Sequence, residues 1–373
     1  MTQPQINSPA PFRMPPLPFL VPGILSLLLG LAAGLTRLPW ELPAFGSVTM
    51  LHGPLMVSGF LGTVISVERA AALRRPWAWA VPALNGIGVL VLLFHAQLRS
   101  GLPFDAQQAG AILFAAGAVG LVAIFAAIVR KQPTLFNVVM GMGALAYVGA
   151  NLTLLVGKPI ATAVPFWSAF LVLTIAGERL ELNRFLRPQR ATKTVFLVIA
   201  SLTLVGAALG LTSTALSDRI QGTVYLVLAA WLLRNDIARR TIRMTGVTRF
   251  TAACLLIGYA WLGVAGLSLV VKPGQIAGTF YDAALHSLFV GFVLSMIFGH
   301  APIIVPALLG KAVEFRNRFY APLVLLHASL LLRVGADHAQ WMEGRRWGGL
   351  VNEIALVLYL ILLVTGIRRA RRS

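Results

Sequence analysis

The sequence predicts an all-α integral membrane protein, and three observations lead to that class. Hydrophobic residues make up 58% of the 373 residues and charged residues only 12%, a composition typical of a multi-pass membrane protein. Apolar runs of about 20 residues, the length that crosses a bilayer core as a helix, recur along the chain. Lys and Arg residues concentrate in alternate connections between these runs. The class therefore rests on composition, run length and charge distribution together.

Twelve apolar runs are present, and we interpret each as a transmembrane helix. No stretch is left over for a soluble domain, so residues 18–373 are expected to form one membrane domain. Residues 1–17 are polar and Pro-rich, which predicts a disordered cytoplasmic tail. The predicted helices lie near residues 18–36, 47–68, 77–98, 106–129, 134–156, 160–178, 193–213, 219–234, 249–271, 277–301, 319–335 and 348–367.

The basic residues predict that both termini face the cytoplasm. With the N-terminus inside, the inside segments hold 23 of the 31 Lys and Arg residues, as the positive-inside rule requires. We therefore expect a bacterial-type inner membrane protein whose main partner is the lipid bilayer. The net charge of +19 then reflects topology and headgroup contacts. It does not indicate nucleic-acid binding, because no basic face interleaved with aromatic residues is present.

The single cysteine, Cys254, excludes a disulfide framework within the chain.

Internal repetition divides the twelve helices into groups of four. Residues 58–69 read SGFLGTVISVER and residues 168–179 read SAFLVLTIAGER, with six of twelve positions identical. Residues 290–300, VGFVLSMIFGH, fit the same frame, so that Gly291 pairs with Gly59 and His300 takes the place of the glutamates. The intervals of 110 and 122 residues each contain four helices. This spacing predicts three four-helix units in a pseudo-threefold arrangement, approximately 18–131, 132–245 and 246–369.

Two histidines lie at matched depth in the repeat. His52 precedes Glu68 by 16 residues, and His286 precedes His300 by 14 residues in the matched frame. At 1.5 Å per residue the two imidazoles differ in depth by only ~3 Å. An intramembrane histidine must be paired, bound to metal or facing water. His52 and His286 are therefore predicted to face each other near the outer side and to bind something between them.

A haem suits this pair better than zinc. Zinc requires three or four converging ligands, and the nearby carboxylates are few: Asp282, one turn before His286, and Glu353. The iron of a haem takes axial histidines, and small residues surround both sites (Gly53, Ser58, Gly59 and Gly62 with His52, Gly291 with His286). Asp282 is expected to accept a hydrogen bond from His286 and fix its tautomer. Cationic partners for the propionates are expected from Arg333, Arg345 and Arg346, at the outer end of helix 11 and in the following loop, although these arginines equally fit ordinary interfacial anchors.

The remaining candidate ligands have simpler explanations. His327, in the middle of helix 11, suits a buried hydrogen-bonded role as well as a metal-binding one. Met56 shares a helix face with His52 and is an alternative ligand, although a methionine in this position more often serves packing. His95 fits a satisfied residue near a helix end, and His300 and His338 fit solvated interfacial positions.

These features resemble a known group of proteins. Twelve helices, three four-helix arcs and histidines on helices 2 and 10 are similar to the haem–copper oxidase subunit I superfamily. Within that group, His52-x-x-x-Met56 followed by Gly59, and His286-x-x-x-Val290-Gly291, resemble the NnrS family. The resemblance implies a membrane protein containing haem and copper and linked to nitric-oxide stress.

The sequence also departs from the oxidases. Those proteins carry one histidine on helix 6, a His-His pair on helix 7 and two histidines two residues apart on helix 10, whereas here helices 6 and 7 contain none and His286 has no such neighbour. We therefore expect one haem and no copper centre of the oxidase type; copper would have to use His327, His95 or methionines. A proton-pumping terminal oxidase is not expected. The predicted role is a nitrogen-oxide response, with nitric oxide as a gas ligand, or electron transfer, including a haem-dependent oxidoreductase. Two alternatives remain: a cofactor-free secondary transporter, and a structural or assembly subunit.

Overall fold

The computed structural model describes residues 14–38, 40, 42, 48–94, 106–182 and 190–368. It confirms an all-α membrane protein. Within these residues, ten helices are long and apolar enough to cross a membrane. The predicted tail, residues 1–17, lies largely outside the described residues, and so does His95.

The long helices are labelled α1 to α12 in chain order. Two of them, α7 and α8, fall outside the ten apolar spans just mentioned, because α7 has a shorter apolar stretch and α8 carries Asp218, Arg219 and Gln221. Two-residue strands, β1 at Ala312–Val313 and β2 at Ile367–Arg368, pair antiparallel and connect the end of α12 to the segment after α10. The helices are α1 Leu17–Arg37, α2 Val48–Leu73, α3 Pro76–Leu93, α4 Ala106–Lys131, α5 Leu135–Leu155, α6 Ile160–Leu182, α7 Arg190–Leu209, α8 Thr214–Asn235, α9 Gly246–Val271, α10 Thr279–Leu309, α11 Asn317–His338 and α12 Met342–Gly366.

Helices α6, α10 and α11 are the most buried of the apolar spans. Helix α6 is the most buried of the apolar spans, with 78% of its apolar window inside the protein. It contacts α2, where Trp167 lies against Gly53, and it packs against the middle of α10. Helices α11 and α12 pack closely together, and α12 also contacts α1. The helices that carry the repeated sequence are thus neighbours inside the bundle.

Helix α10 is longer than predicted. The apolar run predicted an end near residue 301, and the next residue, Pro302, cannot donate a backbone hydrogen bond. The helix instead continues through Pro302 and Pro306 to Leu309. The carbonyl that Pro302 leaves without a helical donor is that of Phe298, and it accepts a hydrogen bond of 2.6 Å from the Tyr359 hydroxyl of α12. A tertiary contact therefore compensates for the proline.

Helix α12 begins six residues earlier than the predicted residue 348. It starts at Met342, so Arg345 and Arg346 lie in its first turns and not in a loop. The apolar pattern missed this turn because it contains charged residues. Each of these arginines has a carboxylate partner, Asp337 for Arg345 and Glu343 for Arg346.

Two helices contain π-helical segments at matching positions. In α2 the π segment is Leu55–Leu61, and in α10 it is Ser287–Leu294. In the frame that pairs Gly59 with Gly291, the first residues of the two segments coincide. π-Helical turns are rare and occur frequently at functional sites. The likeness between these helices therefore extends from sequence to backbone geometry.

Candidate functional site

The structure brings His52 and His286 to the same end of the bundle, which we call the histidine end. The two rings are close enough to interact electrostatically. His52 Nδ1 lies 2.7 Å from the Gly30 carbonyl oxygen of α1, and His286 Nδ1 lies 2.8 Å from the Asp282 carbonyl oxygen. A carbonyl oxygen only accepts hydrogen bonds, so each Nδ1 carries the proton and each Nε2 keeps its lone pair.

Neither Nε2 atom makes a hydrogen bond with any described residue. A histidine that donates Nδ1–H to a carbonyl and presents a free Nε2 has the arrangement usual for a metal ligand. Both histidines also lie within three residues of the start of a π segment. The same chemistry thus recurs at corresponding places in two helices.

His286 and Asp282 are partly accessible. Solvent reaches 18% of the His286 side-chain surface and the same fraction of Asp282. The ring that carries the free Nε2 atom is therefore not completely covered by packing.

Asp282 is at the centre of a charged cluster at the histidine end. Arg333 donates to it from Nε at 3.1 Å and from Nη2 at 2.9 Å. Arg345 Nη2 lies 3.4 Å from Asp282 Oδ1, and Arg345 Nε lies 3.1 Å from Asp337 Oδ1. Asp337 is completely buried. Two carboxyl groups and two guanidiniums therefore lie together beside His286, whose Nδ1 lies 3.4 Å from Asp282 Oδ1.

Glu353 of α12 approaches His52 from another side. A methyl group added at Gly34 would lie 3.2 Å from Glu353 Oε1 and 3.1 Å from His52 Cε1. The glycine thus permits close contact between the histidine and α1. Glu353 places a carboxylate beside His52 within the span of α12. A carboxylate at membrane depth is a functional residue by default.

The other predicted site residues lie elsewhere. Arg346 pairs with Glu343 at 2.8 Å and its guanidinium lies 4.5 Å from the centre of the Trp40 ring. Met56 packs on α1, where its sulfur would lie 2.7 Å from a methyl group at Gly30. His327 has partners for both ring nitrogens, since Trp261 Nε1 donates to Nδ1 at 3.1 Å and Ser295 Oγ lies 3.3 Å from Nε2.

The small residues around the two histidines contact neighbouring helices. Ser58 donates to Asn151 of α5 at 2.9 Å. Gly53 accommodates Trp167, and Gly291 accommodates Trp261. These residues therefore allow close helix packing.

The donor set fits a haem and does not fit zinc. Among the described residues, no group of three or more His, Cys, Asp or Glu side chains is placed to hold a metal ion, whereas zinc requires three or four such ligands. A haem requires only axial donors from the protein, and two histidines with free Nε2 atoms supply them. The arginines of the charged cluster are suitable partners for the propionate groups of a haem.

A family model matches most of the chain, over residues 16–368. The chain belongs to the family described as Domain of unknown function (DUF8744). The match covers all of α1 to α12, so the histidine end lies within the matched region. The comparison with curated proteins gives no match.

Asp337 is the site residue that sequence reasoning missed. It lies near the end of α11, beside residues that read as an exposed connection. The only sequence signal is its spacing of four residues from Arg333, which places both on one helix face. Its complete burial becomes evident only when α12 brings Arg345 against it.

Proposed function

We propose that this DUF8744 protein holds one haem between His52 and His286 and serves in a nitrogen-oxide response or in electron transfer. The observation that carries the proposal is the pair of Nδ1–H···O=C hydrogen bonds, which leaves two Nε2 donors at one end of the bundle. The water-accessible fraction of His286 supports it.

The proposal includes a topology. All twelve long helices cross the bilayer, in three units of four, with both termini in the cytoplasm of a bacterial-type inner membrane. The coincident π segments of α2 and α10 support the repeat, and the basic connections support the orientation. In this topology the histidine end faces outward.

Each residue of the site has a distinct role. His52 and His286 would hold the iron through Nε2, with Gly30 and Asp282 fixing their tautomers. Arg333 and Arg345 would bind the propionates, and Asp282 and Asp337 keep the arginines oriented through ion pairs of 2.9 and 3.1 Å. A haem held by both histidines would supply one-electron redox chemistry, and release of one histidine would open a site for nitric oxide.

A copper centre is not part of the proposal. Both ring nitrogens of His327 have hydrogen-bond partners, and α6 and α7 contain no histidine. We therefore assign the protein no oxygen-reducing centre of the oxidase type, which leaves sensing, protection or electron transfer within the resemblance to the NnrS family.

The test is an absorption spectrum of the detergent-purified protein, oxidised and reduced, with a haemochrome count. We expect one haem per chain in the wild type and none in His52→Ala/His286→Ala. His338→Ala is the matched control, because its Nδ1 also bonds a carbonyl one turn earlier, that of Val334, at 2.8 Å. It should retain the full spectrum.

The opposite result is also informative. A colourless wild type, produced with ample haem and eluting as a folded particle, would overturn the haem proposal. The ionisable side chains of Asp282, Arg333 and Glu353, which lie in candidate membrane spans, would then favour a secondary transporter, whose sites lie within the membrane span, and uptake assays would follow. If those assays also failed, a structural or assembly subunit would remain.

A further inference from the structure

A second polar cluster lies at the opposite end of the bundle, which we call the glutamate end. It unites the three positions that the repeat aligns: Glu68 of α2, Glu178 of α6 and His300 of α10. Arg69 donates to Glu68 at 2.9 Å and to Glu178 at 2.5 Å. His300 is close enough to Glu68 to interact electrostatically. The proposed haem site uses none of these residues.

A neighbouring arginine, Arg179, already has a carboxylate partner. Arg179 binds Asp236 through two hydrogen bonds of 2.9 Å, and both side chains are buried. Asp236 therefore offsets the charge of Arg179, which leaves Arg69, among the described residues, as the cation in direct contact with the two glutamates. Glu181 also faces Arg69 and Glu178 and has a further partner of its own.

A buried acceptor in this cluster lacks a partner among the described residues. His300 donates from Nδ1 to the Met296 carbonyl at 2.6 Å, so its buried Nε2 is an acceptor, and it has no hydrogen-bond partner there. The Tyr259 hydroxyl is completely buried beside Arg179 and Asp236 and interacts with that pair. Buried polar groups are normally satisfied, and an acceptor without a donor calls for a proton or a protonated group.

Charge balance identifies that partner. Two ionised carboxylates on one guanidinium leave one uncompensated negative charge, and like charges that share a partly buried site retain a proton between them. The groups that face the site are Glu68 and Arg69 from α2, Glu178, Glu181 and Arg179 from α6, Asp236 after α8, Tyr259 from α9 and His300 from α10.

We propose that Glu68 and Glu178 share one exchangeable proton, with His300 as the neighbouring acceptor. Water can reach both carboxylates, since 25% of the Glu68 side chain and 21% of the Glu178 side chain are accessible. The proton passes between water at this end and a carboxylate oxygen, with no other bond made or broken. The site is thus a proton-binding site on the side of the bundle opposite His52 and His286.

Infrared difference spectroscopy of the full-length protein during a pH titration tests the proposal. The wild type should show the C=O band of a protonated carboxylic acid, which shifts in D₂O and disappears at high pH. Glu68→Gln and Glu178→Gln should each abolish that band, because one remaining glutamate ionises fully beside Arg69. Glu343→Gln should keep it, since Glu343 has its own arginine, Arg346.

Three outcomes would overturn the proposal. The band is absent from the wild type, or it survives in both variants, or it responds to sodium concentration at constant pH, which would identify a metal-cation site. Size-exclusion profiles confirm that each variant is folded, and each glutamine variant stands as an independent test if the other fails to fold. The readout follows the carboxyl groups directly, so a colourless protein would leave this test unaffected.

Discussion

Removing the carboxylate of Asp236 should destabilise the protein far more than removing a carboxylate from an exposed ion pair. Asp236→Leu leaves Arg179, whose side chain is only 2% exposed, without its ion-pair partner. It also removes the acceptor for the Ala238 backbone N–H, which lies 2.7 Å from Asp236 Oδ1. Breaking a buried pair by removing one partner costs about 3–5 kcal/mol.

The assay is equilibrium unfolding in mixed micelles, followed by tryptophan fluorescence. The matched control is Glu343→Gln, because Glu343 and Arg346 form a pair whose side chains are 57% and 25% exposed. Exposed pairs contribute about 0–1 kcal/mol, so the control should unfold almost as the wild type does. The double variant Arg179→Met/Asp236→Leu should regain most of the lost stability, because apolar residues of similar size can replace a buried ion pair. Equal losses in Asp236→Leu and Glu343→Gln would refute the reasoning.

Three further predictions follow from single contacts. Gly222→Ala should lower the thermal unfolding midpoint, because the added methyl would lie 2.7 Å from the Gly266 carbonyl oxygen. A methyl added at Gly335 has no atom within 4 Å, so Gly335→Ala should raise the stability of the protein by about 0.5–1 kcal/mol. Equal midpoints for the two variants would contradict this prediction. His327→Leu should lower the stability of the protein by about 1–3 kcal/mol, because the Trp261 N–H loses its hydrogen-bond acceptor. The haem spectrum should stay unchanged, and its loss would identify His327 as a ligand. Glu353→Gln should retain the haem and weaken the pH dependence of the haem reduction midpoint potential, measured by redox titration. An unchanged pH dependence would show that Glu353 does not act at the site.

Much of the fold was predictable because bilayer crossing imposes a length and a polarity on each helix. The errors at α10 and α12 have a common cause. Pro302 reads as a helix end until Tyr359 supplies the missing donor, and Arg345 reads as a loop residue until Asp337 pairs with it. Each requires a partner far away in sequence. Helix ends fixed by tertiary contacts are therefore not visible in the local pattern.

The site was predictable in part for the same reason. The depth of His52 and His286 follows from counting residues along two helices, and Asp282 follows from its spacing of one turn. The partner of His52 is the Gly30 carbonyl of α1, which any sequence would provide at that place. The role of this carbonyl depends on how α1 packs against α2, and a contact made by the backbone does not require a particular residue type in the sequence.

The π segments of α2 and α10 amount to single-residue insertions that the helices have absorbed. A π turn closes its hydrogen-bonded ring over one more residue than an α turn. Deleting one residue from Leu55–Leu61 would restore α-helical hydrogen bonds, and the residues on both sides would keep their angular positions, because the wider π turn already absorbs the extra residue. His52 would still face its present neighbours, and Glu68 would keep its place. A single codon can therefore be gained or lost within α2 without turning either end of the helix.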